Sequence, residues 1–363
     1  YVVEGATVGE EFIYAQQTAD RVPADRRGVI PTDTRYSTGT CAGLAIYQPL
    51  QVARASNDNI LTYLKGWTDA EVPANRTKLI ATAAAYAGYA YVMLGEGFCS
   101  LAFSHINPDR SIEYGGEISR DSTFRIAVSR FTEAIAAAQT TSTTDILPMA
   151  YLGRARAKLN LKDYAGAKSD AQKIAAGYLK NATYSASVGR RNNFVWSDNA
   201  SANKSSSVGE PYRTIMAGDP RVPVTPGDAT SATGIRHWFQ TKYSAVDTPI
   251  PLATFEEAQL IIAEADIRSG SLATALPILA ASRVRGSQPA FTGTTQDQYM
   301  AELIDQRRRE LFLESQHLGD VIRYGIALAP AAGTSYHFGG LYATQICFPL
   351  PAAERLNNPL IGN

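Results

Sequence analysis

The sequence predicts a mostly α-helical fold, a superhelix of tetratricopeptide-like helix pairs that carries an irregular, loop-rich insertion. Three observations predict it. Apolar residues recur at helical spacing in block after block of the 363-residue chain. In "AYLGRARAKLNLKDYAGAKSDAQKI", Tyr151, Ala155, Tyr164, Ala167 and Ile174 follow the large, small, aromatic, small order by which paired antiparallel helices interlock. From about residue 177 to 251 the composition turns to Ser, Asn, Gly, Pro and Thr. That stretch still keeps Phe194, Trp196, Tyr212, Trp238, Phe239 and Tyr243, which a disordered linker would lack.

Residues 1–45 show no sustained periodicity and contain Pro23, Gly28, Pro31 and Gly39, so they read as an extended, loop-rich opening segment. Residues 46–176 form the helical, tetratricopeptide-like part. In "YQPLQVARASNDNILTYL", Leu50, Ala53, Ile60, Leu61 and Leu64 fall at helix-compatible spacing, and "GWTDAEVPANR" interrupts the pattern, with Trp67 assigned to packing beside the turn. A long helix follows from about Asn75. Its uncharged stretch Leu79 to Gly95 is largely Ala, Gly, Thr and Tyr, which suits a buried helix with small-residue contacts better than a bilayer span. In "DSTFRIAVSRFTEAIAAAQ", Asp121 or Ser122 is the expected N-cap, with Phe124, Ala127, Val128, Phe131 and Ile135 on one face. After the 177–251 insertion, residues 252–363 supply a second helix pair and a tail. There "FEEAQLIIAEADIRSGSLATALPILAASR" repeats the plan, with Leu272 and Ala275 in place of Tyr164 and Ala167.

Composition excludes several classes of function. Lys+Arg and Asp+Glu number 34 each, so no global field draws the chain to nucleic acid or anionic lipid. Cys41, Cys99 and Cys347 lack metal-ligand spacing, and their spacing fits either one disulfide with a spare thiol or three buried thiols. His105, His237, His317 and His337 are isolated, and no metal or cofactor is expected. No nucleophile elbow, zinc-protease motif or phosphate loop occurs, and "GEGFCS" lacks both the third glycine and the preceding strand of a dinucleotide site. The chain begins at Tyr1 without a Met, a basic segment or an apolar leader, and reads as a mature or trimmed product.

"RRRELFLESQHLGDVIRYG", Arg307 to Gly325, reads as a structural clasp. On one helix Arg307, Glu310, Glu314 and His317 would form a stripe, with Asp320 and Arg323 three apart and Leu311, Leu318, Val321 and Ile322 on the buried side. A neighbouring arginine would hold Glu310 and Glu314 ionised, which favours ion pairing over acid–base catalysis. Glu257 and Glu264 border the apolar face of "FEEAQLIIAEA" and need partners, for which Arg308 or Arg309 on a packed helix are the expected donors.

These segments carry a family resemblance. The clasp resembles the C-terminal signature of the SusD/RagB family, R-x-x-E-L-x-x-E-x-x-R-x-x-D-L-x-R, matching at Arg307, Glu310, Leu311, Glu314, Asp320 and Arg323, with His317 for an Arg and Val321 for a Leu. "ARASNDNIL", "GDPR" (Gly218 to Arg221), "FEEAQLIIAEA" and "FPLPAAERLNNPLI" resemble further family segments in the same order. The resemblance implies a single SusD-like domain over 1–363 and a non-enzymatic role in nutrient capture. It also implies an outer-membrane, cell-surface location through an N-terminal lipid anchor not present in this chain, and a SusC-like TonB-dependent transporter that receives glycan or peptide. The lipid-bearing Cys is missing here, and the chain is shorter than is usual for the family.

Sugars stack their C–H faces on aromatic rings while their hydroxyls need polar partners, and the insertion supplies both. Trp196, Tyr212 and Trp238 lie near Asn192, Asn193, Asp198, Arg213 and Gln240 in sequence. Tyr36 joins them because the family's N-terminal loops reach the binding face. The candidate ligand residues are therefore Tyr36, Trp196, Tyr212, Arg213 and Trp238. A different class of function is a self-assembling structural surface protein, a homo-oligomer favoured by near-zero net charge and stacked helices. A glycan-processing enzyme is a third reading.

Overall fold

The computed structural model describes residues 1–16, 21–38, 45–72, 75–107, 109–141, 145–200, 204–230 and 234–362. The principal helices along the chain are α1 (Val2–Val8), α2 (Tyr47–Gly66), α3 (Arg76–Gly97), α4 (Arg120–Thr141), α5 (Ile146–Asn160), α6 (Tyr164–Ala171), α7 (Phe255–Arg268), α8 (Leu272–Arg285), α9 (Gln296–Glu310), α10 (His317–Tyr324) and α11 (Ala352–Asn357). The strands are β1 (Phe12–Tyr14), β2 (Ser100–Ala102), β3 (His105–Ile106), β4 (Ile112–Glu113), β5 (Glu117–Ser119), β6 (Leu179–Ala182), β7 (Ser206–Val208), β8 (Val224–Thr230), β9 (Arg236–Gln240) and β10 (Ile250–Thr254). The chain divides into two units, one of residues 30–178 with 348–363 and the other of residues 1–29 with 179–347.

The first of these units is the helical one. α3 packs on α2, α4 and α5, and α5 pairs with α6. As the small-residue reading of α3 predicts, its alanines are buried and its glycines make room for aromatic rings. A Cβ at Gly88 would lie 2.7 Å from the Phe131 ring and one at Gly153 of α5 only 2.3 Å, so Phe131 is clasped between two glycines. Its complete burial contributes roughly 2–3 kcal/mol. No described helix is long and apolar enough to cross a membrane. The α5–α6 turn reverses through Lys162 at φ 62°. Asp163 then caps α6 by accepting the Gly166 N–H at 2.9 Å, and Ala155 and Ala167 are fully buried.

Three local expectations are corrected here and one open choice is decided. α2 does not bury Ile60, which is 47% exposed, but Arg54, Asp58 and Leu61, which recur at i, i+4 and i+7 on one face. Asp58 is affordable inside because Arg130 Nε (2.8 Å) and the Tyr91 hydroxyl (2.6 Å) donate to it. Trp67 is 45% exposed and meets mainly Tyr63, stacked at 6.0 Å, because it follows the end of α2 and faces outward. The cap of α4 is Ser119, whose hydroxyl accepts the Ser122 N–H, and neither Asp121 nor Ser122 takes that role. Cys99 and Cys347 are disulfide-bonded, the oxidised of the two states that the sequence leaves open, while Cys41 lies outside the described residues.

The second unit combines short antiparallel strand pairs with α1 and α7–α10. β1 pairs with β7, β6 with β10 and β8 with β9. Its core gathers Phe12, Val195, Val208, Tyr212, Tyr243, Phe312 and Leu313. The opening segment is not loop throughout. α1 is buried from Val3 through Val8 on all sides, and it packs on α10. α7, α8 and α9 form the second helix pair and its neighbour, around Leu260, Ala263, Ala275, Leu279 and Leu303. α9 opens with a full capping box, Thr295 with Gln298.

The clasp is two helices, not one. Helix α9 stops at Glu310, Leu313 (φ 55°) and Ser315 (φ 70°) take left-handed backbone, and α10 restarts at His317 and closes on Gly325 (φ 66°). The predicted stripe is therefore dispersed, and each charge finds a separate partner. Arg307 donates to both Asp320 oxygens at 2.7 and 3.0 Å. Arg308 pairs with Glu10, and Arg309 with Asp305 (2.7 Å) and Asp219 (3.2 Å). Glu310 accepts from Arg221 and Arg285 at 2.9 and 3.0 Å, and Glu314 from Lys242 at 2.7 Å. Glu264 does not meet Arg308 or Arg309 but takes Arg323 at 2.5 Å, because the chain turns after Glu310 and brings the Arg323 side chain of α10 within its reach. Glu257 is buried in the first turn of α7, where its N–H is capped by Thr254.

Candidate ligand-binding cleft

Within the strand-bearing unit a cleft of ≈ 610 Å³ opens beside β9. Strand alternation sets its first wall, since Arg236 and Trp238 share one face while His237 turns inward and its Nε2 lies 2.8 Å from the Asn199 carbonyl. The Trp238 backbone is fixed from both sides, with its N–H on the Ser207 hydroxyl (2.9 Å) and its carbonyl under the Asn199 amide (2.9 Å). The half-buried indole lies close to two guanidinium groups, Arg236 at 5.4 Å and Arg213 at 5.9 Å from the ring centroid. Arg213 comes from the short helix Glu210–Arg213 and donates through Nε to Glu210 at 2.6 Å.

The opposite wall is the segment 329–342. Pro330, Ser335, Tyr336, His337 and Tyr342 line it. Tyr336 and Tyr342 meet edge to face at 5.1 Å, and the Arg27 guanidinium lies 4.8 Å from the Tyr342 ring centroid. Behind this wall sits Asp25, almost wholly buried. It accepts on Oδ2 from the Tyr14 N–H (3.1 Å) and the Tyr336 hydroxyl (2.9 Å). Burial pushes its carboxyl up to about 7, and those hydrogen bonds offset only part of the rise. Burial likewise holds His337 below the usual imidazole value.

Of the sequence-predicted ligand residues, the cleft brings together Trp238 and Arg213. Trp196 begins a single π turn, Trp196–Ala200, and packs part-buried against the core. Tyr212 is fully buried, its ring stacked on Phe312 at 4.9 Å. Tyr36 belongs to the helical unit, where it is buried, stacks on Phe348 at 5.8 Å and donates to the Pro349 carbonyl. Sequence reasoning missed Arg236, Glu210, Tyr336, His337 and Tyr342. The alternation in "RHW" marks Arg236 as a same-face neighbour of Trp238, and the aromatic density of "SYHFGGLY" flags the second wall.

A second cleft, ≈ 500 Å³, lies in the helical unit between the Gln48, Val52, Ala55 and Asn59 face of α2 and residues Ile106, Ile112 and Tyr114. Its charged members are taken up internally, Arg54 by Gln51 and the Ser104 carbonyl, and Glu354 by the Tyr47 hydroxyl. Among the described residues no cluster of His, Cys, Asp and Glu could hold a metal.

Helix pairs together with a strand-bearing unit that carries an aromatic and arginine cleft define a SusD-like fold. A SusD superfamily protein from Parabacteroides distasonis shares it over 99% of this chain and 92% of its own, with a TM-score of 0.76 at 14% identity. Surface glycan-binding protein A from Bacteroides uniformis does so over 99% and 92%, with a TM-score of 0.74 at 14% identity. Residues 240–349 match the model of the SusD family. The chain is also similar to the starch-binding protein SusD of Bacteroides thetaiotaomicron, 31% identical over 117 residues, which is 31% of this chain and 20% of that protein. The chain therefore has the SusD-like fold, and within it residues 240–349 are similar to the SusD family.

Proposed function

We propose that this chain is a non-enzymatic carbohydrate-binding protein of the outer-membrane surface that acts as one SusD-like domain. It holds an oligosaccharide in the Trp238 cleft and passes it to a SusC-like TonB-dependent transporter, with an anchor lying outside this sequence. The observation that carries this reading is the half-buried indole of Trp238, backbone-locked in an open cleft beside guanidinium donors, an arrangement that suits a sugar ring with hydroxyls at its rim. The names of the relatives, a starch-binding and a surface glycan-binding protein, support the ligand class over peptide. Among the described lining residues Glu210 is the single carboxylate and it is salt-bridged to Arg213, so the paired carboxyl groups of glycoside cleavage are not assembled there.

The test is a glycan panel measured by calorimetry. Trp238→Ala is expected to weaken the bound glycan by roughly tenfold or more, while Trp196→Ala leaves affinity near wild type. If no glycan binds, or if binding ignores Trp238→Ala, the cleft is not the site. Release of reducing sugar from a bound glycan would overturn the non-enzymatic reading.

A further inference from the structure

We infer that the ligand of the Trp238 cleft is an anionic glycan, one bearing a carboxylate or a sulfate that Arg236 receives. This rests on the cleft being the glycan site. Several buried and half-buried arginines of the same unit are ion-paired, Arg21 with Glu4 and Asp198, Arg221 with Asp219 and Glu310, Arg307 with Asp320 and Arg323 with Glu264, while the buried Arg27 donates to the Pro330 carbonyl. Arg236 is different. It is exposed, it lines the cleft, and no carboxylate among the described residues lies within ion-pair distance of it.

The charge balance of the cleft points the same way. Glu210 neutralises Arg213, and His337 stays uncharged near neutral pH, so the Arg236 charge is left over. Although the whole chain is balanced, residues 177–251 hold eight Lys and Arg against five Asp and Glu. A surplus guanidinium on a solvated surface would mean little. This one is held 5.4 Å from the indole centroid, which restricts its rotamers while its N–H edges stay free to take a planar carboxylate or a sulfate in two hydrogen bonds. A neutral glucan would leave that donor set unused. An acidic sugar stacked by Trp238 would place its charge within the arginine's reach.

The full chain is titrated with a polygalacturonate oligosaccharide, its methyl ester, a sulfated dextran oligosaccharide and a neutral maltooligosaccharide. At least one acidic probe is expected to bind, more weakly as salt is raised. Methyl esterification should weaken polygalacturonate, if that is the probe held, by roughly tenfold, and Arg236→Gln should do the same to whichever acidic probe binds, without shifting the melting temperature. The carboxylate and sulfate arms identify the group that is received. Binding of neutral and acidic probes alike, or acidic binding untouched by Arg236→Gln, overturns the inference. If a neutral glycan still depends on Trp238, the binding reading stands alone, whereas no Trp238-dependent binding of any probe overturns both.

Discussion

Glu264 has no exposed surface, yet it accepts from Arg323 and the Tyr324 hydroxyl and lies 3.7 Å from Arg268. Arg323 in turn shares Asp320 with Arg307, so the carboxyls and guanidiniums form one buried chain of alternating charge. Burial alone would raise Asp320, but Arg307 and Arg323 overcome it and hold the carboxyl below its ordinary value. Removing one member strands the next. Glu264→Gln is expected to cost about 3–5 kcal/mol in urea unfolding, far above a surface change, and a loss under ~0.5 kcal/mol would contradict the buried network. Asp25 makes the opposite case. Unfolded it titrates near 4, while folded it keeps its proton up to about 7, so the native state binds more protons between those values. Its contribution is full below the unfolded value and is lost as pH rises through about 7, on the order of 4 kcal/mol in all. Asp25→Asn, which can still accept from Tyr14 and Tyr336, should remove that slope. Stability curves of both proteins from about pH 4 to about pH 8 should therefore converge at the acid end and separate at the alkaline end, with the variant the more stable.

At the scale of elements, the helical unit depends on apposed glycines and one large ring. Phe131 of α4 fills the space that Gly88 of α3 and Gly153 of α5 leave open. Gly153→Ala is expected to lose about 1–3 kcal/mol, because the ring has no free volume to yield into, and Phe131→Leu in the same chain should recover part of that loss in a double-mutant cycle. This arrangement was half legible. The Ala and Gly content of α3 and the apolar stripe of α4 announce close packing, but which ring meets which glycine depends on how the helices cross. The helix pairs were legible because a period of 3.6 sustained over two or more turns stands above noise. Strands of three to five residues, such as β1, β7 and β9, give period-2 alternation too few repeats to be seen, so the insertion read as loop. The break after Glu310 was hidden because the charge pattern continues at helical spacing through a backbone that does not. In the cleft, Trp238 and Arg213 were legible as residue types. Tyr36 and Tyr212 have the same composition signal but are buried, and the 329–342 wall carries no periodicity at all.

At the scale of the molecule, neither unit is a continuous stretch of chain. The helical one recovers residues 348–363, and Phe348 is its keystone. That ring is buried against Tyr36 and Phe98, both at 5.8 Å between centroids, and its backbone exchanges hydrogen bonds with the Gly97 carbonyl and the Cys99 N–H. Phe348→Ala is expected to cost about 3–5 kcal/mol, read as an earlier thermal transition, and an unchanged transition would place that core elsewhere. Sedimentation of the ligand-free protein should give a monomer, and polymers would favour the structural, self-assembling reading instead. The returning tail also imposes an order in time. When the chain is made from its N-terminus, residues 30–178 are complete long before Phe348 exists, and the socket between Tyr36 and Phe98 must wait, apolar and unfilled, until Phe348 has been added. The core of the helical unit therefore stays half-finished for as long as residues 179–347 take to be made.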